Sequence, residues 1–188
     1  MSIAEPTHRR GKVVDQKILS AVIEVIEASG TLEIKVDEVA SVAGVNKTTI
    51  YRRFAERDEL VLAGILAVAE DVVPIADEGS LAADLTSIAE RVRETVTSPL
   101  GRALLSASAS SPQLAALRPP YWQARFGAAA TVFDRAVERG ECRAPSNGEM
   151  LIELMVAPIH FRASQVGTEI TDEFLRLQVD RLLSELES

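Results

Sequence analysis

The sequence predicts an all-α protein of about nine helices in two domains, and three features carry that prediction. Apolar residues recur at three- and four-residue spacing along the chain, with no strand-like alternation. Ala, Leu, Val and Glu recur throughout while aromatic residues make up only 4%, a composition rich in residues that lose little on entering a helix. The periodic stretches are also punctuated as helices are. Gly30 stands where a C-terminal cap belongs, Gly44-Val45-Asn46 makes a tight turn, and Ser111-Pro112 marks a helix start.

Taken in order, residues 1–12 read as a flexible basic arm containing Pro6, His8, Arg9, Arg10 and Lys12. Ile18, Val22, Val25 and Ile26 place a first helix over residues 13–29. A short second helix covers 36–43, a third covers 47–54 with Asn46 as its N-cap, and a long fourth opens at Glu56 and runs to about residue 73. Further helices fall at 81–97, 99–109, 112–117, 120–139, 149–164 and 171–187, with a loop at 140–148. Arg118-Pro119-Pro120 is expected to break the chain between two of them. The domain boundaries read from this are an arm at 1–12, a small unit at 13–58 and a larger helical domain at 59–188.

Composition bounds the function. With 188 residues the chain can bury one substantial core and carry a small appended unit. The net charge of −8 is unevenly spread: the first 58 residues hold nine basic and nine acidic side chains, so the whole excess lies beyond them. A locally balanced unit on an acidic body is compatible with nucleic-acid binding through one face. Cys142 is the only cysteine, which excludes an intrachain disulfide and points to a reducing, cytoplasmic setting. The polar start has no signal-peptide pattern, and the longest apolar run, 60–69, is half of what a membrane span of roughly 20 residues needs. His8, Cys142 and His160 lack metal-ligand spacing, and no cofactor motif is present.

The stretch 36–54, VDEVASVAGVNKTTIYRRF, carries the chemistry. Ala40 lets two helices approach, Gly44 permits the turn between them, and Ile50 pins the second to the core. Val39, Ala43, Val45 and Phe54 supply further buried positions. The outer faces then hold Lys47, Thr48, Thr49, Tyr51, Arg52 and Arg53, which can hydrogen-bond phosphates and base edges. For Arg52 and Arg53 the alternative is pairing with acidic residues of neighbouring helices. For Arg9, Arg10 and Lys12 the choice lies between a minor-groove contact and a solvated terminus.

Over residues 18–62, and above all in VAGVNKTTIYRRFAERDEL, the chain resembles the TetR family of bacterial regulators. The ending, ERGECRAP followed by MLIELMVAPIHFR, is similar to one subgroup of that family. The resemblance implies a three-helix DNA-binding domain joined through a long fourth helix to a helical ligand-binding and dimerisation domain. It implies that Lys47, Thr48 and Tyr51 face the groove, that Thr49 contacts phosphate, and that Arg57 clamps the DNA backbone. Lys35 departs from the pattern: many relatives carry Thr or Ser there, and lysine cannot cap the helix but can reach phosphate as a point charge.

The resemblance also places a pocket for a small apolar or amphipathic ligand among the helices of the larger domain, with Leu105, Trp122, Phe126, Met155 and His160 as its candidate lining. For His160 a hydrogen-bonded interface role is the alternative, and for Trp122 and Phe126 plain core packing. The last two helices hold more apolar residues than one core uses: Leu151, Met155, Ile159, Phe174, Leu175, Val179 and Leu182 are the candidate dimer interface, with packing against the preceding helix of the same subunit as the alternative. The expected protein is therefore a homodimeric regulator of a pseudopalindromic double-stranded operator, probing no membrane and released by its ligand. Two other classes compete: a helical protein-interaction scaffold retaining a relic helix-turn-helix, and a helical enzyme. The latter has no nucleophile elbow or phosphate-binding glycine loop in its favour.

Overall fold

Glycines in the left-handed region close the first two helices and fix where each ends. In the computed structural model, which describes residues 6–70, 75–107 and 112–186, Gly30 has φ 69° and Gly44 φ 64°, values that strain any residue with a Cβ. The chain divides into two compact units, Met1–Asp71 and Val72–Ser188. The first contains α1 (Pro6–Ser29), α2 (Val36–Ala43), α3 (Lys47–Tyr51) and α4 (Arg57–Glu70). Its core is aliphatic: Ile18, Val22, Ile26, Val39, Ile50 and Leu60 are buried.

Three details differ from the expectation. Helix α1 starts at Pro6, so residues 6–12 are its first turns rather than an arm. Proline suits the first helical position, and polar residues extend a packed helix at little cost. Helix α3 stops at Tyr51, where the chain tightens and the Arg53 N–H donates to the Ile50 carbonyl at 2.9 Å. Helix α4 belongs to the first unit, since Leu60 and Val61 are buried and Gly64 sits so close to α1 that a Cβ would lie 2.6 Å from Val22 Cγ1.

The second unit is formed by α5 (Leu81–Thr97), α6 (Pro99–Ala107), α7 (Pro112–Glu138), α8 (Gly148–Phe161) and α9 (Asp172–Leu186), with a π-helical turn at Arg162–Val166 closed by Gly167. Side chains cap the starts of α5, α8 and α9: Ser80 accepts from the Ala83 N–H, Asn147 from Met150 and Thr171 from Phe174. Leu85, Ile88, Val132, Phe133, Ile152, Val156, Ile159 and Val179 share one core. The expected break at Arg118-Pro119-Pro120 does not occur, and α7 runs through both prolines. The proline ring fixes φ at a helical value, but the pair removes two ladder hydrogen bonds and crowds the carbonyls four residues back, a cost that this 27-residue helix carries.

One polar cluster is built into this unit. Asp84 is fully buried and accepts the Glu78 N–H at 2.7 Å and Arg139 Nη2 at 3.2 Å, with Arg135 Nη2 at 3.4 Å. Arg135 also donates to the Ile75 and Ala76 carbonyls, each at 3.0 Å, and Arg139 pairs with Asp77 and Glu141. Glu141 in turn accepts the Leu81 N–H. The C-terminal end of α7 thus holds the segment 75–80 against the start of α5. Among the described residues no helix is long and apolar enough to cross a membrane, and no group of three His, Cys, Asp or Glu side chains is placed to hold a metal ion.

Candidate nucleic-acid interface

Asn46 sets the geometry of α3. Its side-chain oxygen accepts both the Thr48 N–H, at 3.1 Å, and the Thr48 hydroxyl, at 3.0 Å. Ile50, 1% exposed, seats the helix on the core, while Tyr51 beside it is 54% exposed. Arg53 is drawn inward, pairing with Asp15 of α1 and donating to the Thr49 carbonyl at 3.2 Å. Arg52 points to solvent and pairs with no acidic side chain among the described residues. Arg53 therefore takes the ion-pair alternative.

Lys47, Thr48, Tyr51 and Arg52 are exposed together on α3, and Thr49 is half-buried. Lys35 occupies the N-cap position of α2 without a side-chain cap, its carbonyl accepting from Glu38 and Val39. Arg57 stands at the first position of α4 and donates to Asp58 Oδ1 at 3.0 and 2.8 Å. Behind it Glu59 reaches back to accept the Ala55 N–H at 2.7 Å. Arg9 and Arg10 lie in the first turns of α1, but their side chains fall outside the described residues. Asp37 is a residue that sequence reasoning missed: its carboxylate lies 3.2 Å from Lys47 Nζ across the turn. Ten positions separate the two, a spacing with no signature.

In the second unit the structure brings part of the expected pocket together. Trp122 stacks on Phe126, with ring centroids 5.5 Å apart, and meets His160 edge-on at 4.9 Å. Tyr121 adds a T-shaped contact at 5.1 Å, and the Arg125 guanidinium lies 5.3 Å over the Tyr121 ring, its Nε–H buried and without an acceptor among the described residues. Burial pushes the His160 pKa below its ordinary value, so the imidazole is neutral at neutral pH. Met155 is buried in the core, and Leu105 packs on the core from α6.

The candidate interface residues divide by face. Met155, Ile159, Leu175, Val179 and Leu182 are buried within one chain, and Leu151 and Phe174 are partly buried, the latter beneath the Arg162 guanidinium at 3.9 Å. The large exposed apolar residues of α8 are instead Met150, Leu154 and Phe161, which with the half-buried Pro158 form a stripe at helical spacing. Leu154 is 58% exposed and Met155 3%. A groove of about 530 Å³ between α8 and α9 is lined by Leu151, Leu154, Pro158, Arg181, Leu182 and Glu185 among others.

A short helix with a polar exposed face, seated by one aliphatic residue and set across a glycine turn from its predecessor, defines a helix-turn-helix DNA-binding unit with an appended helical body. Residues 18–63 match the profile described as "Bacterial regulatory proteins, tetR family", and residues 75–182 match "Tetracyclin repressor-like, C-terminal domain". The HTH-type transcriptional regulator AqdR of Rhodococcus erythropolis is 29% identical over 93% of this chain and 86% of its own. The uncharacterised HTH-type regulator YdeS of Bacillus subtilis is 28% identical over 89% of each. Among solved structures, the TetR family transcription regulator SCO0332 superposes with a TM-score of 0.72 at 28% identity, covering 91% of this chain and 97% of its own. The protein belongs to the TetR family, and it is a DNA-binding transcriptional regulator.

Proposed function

We propose that the protein is a homodimeric repressor that places two copies of α3 in successive major grooves, roughly 34 Å apart, of a pseudopalindromic operator. Lys47, Thr48 and Tyr51 read base edges, Thr49, Arg52, Arg57 and Lys35 hold phosphate, and the start of α1 with Arg9 and Arg10 adds a basic end. The observation that carries this reading is the way Ile50 and Asn46 orient α3 so that its donors share one open face. Gel shifts on the DNA upstream of its own gene test it: Lys47→Ala with Tyr51→Ala abolishes a salt-sensitive shift, whereas a scaffold with a relic helix-turn-helix keeps its partners unchanged.

The groove between α8 and α9 supports a twofold interface in which Leu154, Pro158 and Leu151 of two subunits meet. Leu154→Asp is expected to give monomers by light scattering and to weaken operator binding at least tenfold, since half-sites then bind separately. For the effector, the ring cluster around Trp122 supports a small apolar or amphipathic ligand. Its binding favours a dimer with the wrong recognition-helix spacing, and it works only through better affinity for that state. Trp122 is the one tryptophan, so quenching of its fluorescence by candidate compounds, paired with loss of the gel shift, reports binding and release together.

A further inference from the structure

Three cations of the proposed DNA face are already engaged in the unbound protein. Lys35 Nζ lies 3.6 Å from Glu38 Oε1, Lys47 Nζ 3.2 Å from Asp37 Oδ1, and Arg57 Nη2 2.8 Å from Asp58 Oδ1. Both partners of each pair are substantially exposed, so the pairs are weak and open readily. Asp37 and Glu38 lie in the first turn of α2 and Asp58 in the first turn of α4, where negative charge suits the helix dipole. That explains acids at helix starts. It does not explain why they sit on the cations, and Asp37 reaches across the turn to a different helix to do so.

We propose that this regulator binds DNA by ion-pair exchange: Lys35, Lys47 and Arg57 leave Glu38, Asp37 and Asp58 as they take up phosphate or base, which makes its DNA affinity unusually insensitive to salt. This rests on the reading of α3 and its neighbours as the DNA face. A bare cation that meets a phosphate displaces a condensed counterion, and log K then falls with log salt by about 0.9 per contact. A cation that leaves a carboxylate strands a negative charge beside the duplex, and that charge draws a counterion from solution. One ion is released and one taken up, so the pair adds little to the salt slope. Basic and acidic residues are equal in number through Asp58, the stretch that carries the proposed DNA face. Non-specific attraction is held down as well, because it is almost wholly phosphate electrostatics.

The test is fluorescence anisotropy of the full chain on a random-sequence duplex and on a duplex selected from a random pool, across a range of salt. The combined Asp37→Asn, Glu38→Gln, Asp58→Asn variant is expected to steepen the salt slope by up to about 0.9 per carboxylate removed and to bind random duplex about tenfold more tightly at low salt. Circular dichroism melting checks its fold, and if it does not fold, Asp37→Asn alone is expected to show about a third of the slope change. A slope unchanged by the substitutions overturns the exchange while leaving the DNA face intact. A wild-type chain that binds neither duplex at any salt overturns the reading of the face and the exchange with it.

Discussion

In the N-terminal unit Lys35, Lys47 and Arg57 meet their carboxylates in water, whereas in the larger unit Asp84 meets Arg135 and Arg139 out of it. Both sets join basic side chains to carboxylates, and burial decides what they do. An exposed pair gains little because water competes for both ions, so DNA can replace one partner without loss of fold. A buried carboxylate has no such substitute. Asp84 keeps its charge only because one N–H and two guanidiniums point at it, and it repays them by fixing the segment 75–80. The Arg53–Asp15 pair falls between, half-buried and spent on positioning α3.

The sharpest way to break this contrast is to remove Asp84. Asp84→Ala leaves two guanidiniums and the Glu78 N–H without their common acceptor, and is expected to lower stability by about 3 kcal/mol in urea unfolding. Acid does part of the same work. Burial pushes the Asp84 pKa up, but the Glu78 N–H, Arg139 and Arg135 outweigh it and hold the group below its ordinary value. Glu141 is lowered by the Leu81 N–H and by Arg139. A carboxylate lowered on folding contributes stability that is complete above its unfolded pKa, about 4, and is lost as pH falls through the folded one. His160, lowered by burial, has the same sign at higher pH: stability declines as pH drops below about 6.5. Urea midpoints are therefore expected to fall in two stages, with the second blunted in Asp84→Asn.

Smaller effects sharpen the comparison. Arg53→Ala is expected to cost about 1–2 kcal/mol, through the lost pair and the packing of its stem, and to weaken DNA binding by loosening α3. Lys35→Ala should change stability by less than about 0.5 kcal/mol. If Lys35→Ala proved as costly as Arg53→Ala in thermal or urea melts, exposure would not be what separates the two kinds of pair.

Much of the fold was written locally. The second helix and the helix at 81–97 fall where the sequence places them, because their limits are set by nearby residues such as Gly44 and Ser80. The helix-turn-helix was legible for the same reason, since a small residue, a glycine and an aliphatic pin act within one turn of each other. What required distant partners was not legible. Asp84 is one of 28 acidic residues, and its arginines come more than fifty positions later. Apolar density identifies α8 and α9 but not their faces: Met155 and Ile159 fill the core, and Leu154 is the exposed neighbour. The double proline misled because proline propensity reports a free-energy cost, and a long packed helix can absorb it.

The arginine clamp has a bearing on engineering. Regulators of this architecture invite exchange of heads, one DNA-binding unit being spliced onto another effector domain. The segment 75–80 lies outside any helix, yet Arg135 of α7 and Arg139 just beyond its end are its ligands. A splice within 75–84 would separate Asp77 or Asp84 from the guanidiniums that match them and leave a foreign loop against a buried charge. A splice placed before Ile75 transfers the loop, the carboxylate and both arginines as one inherited module.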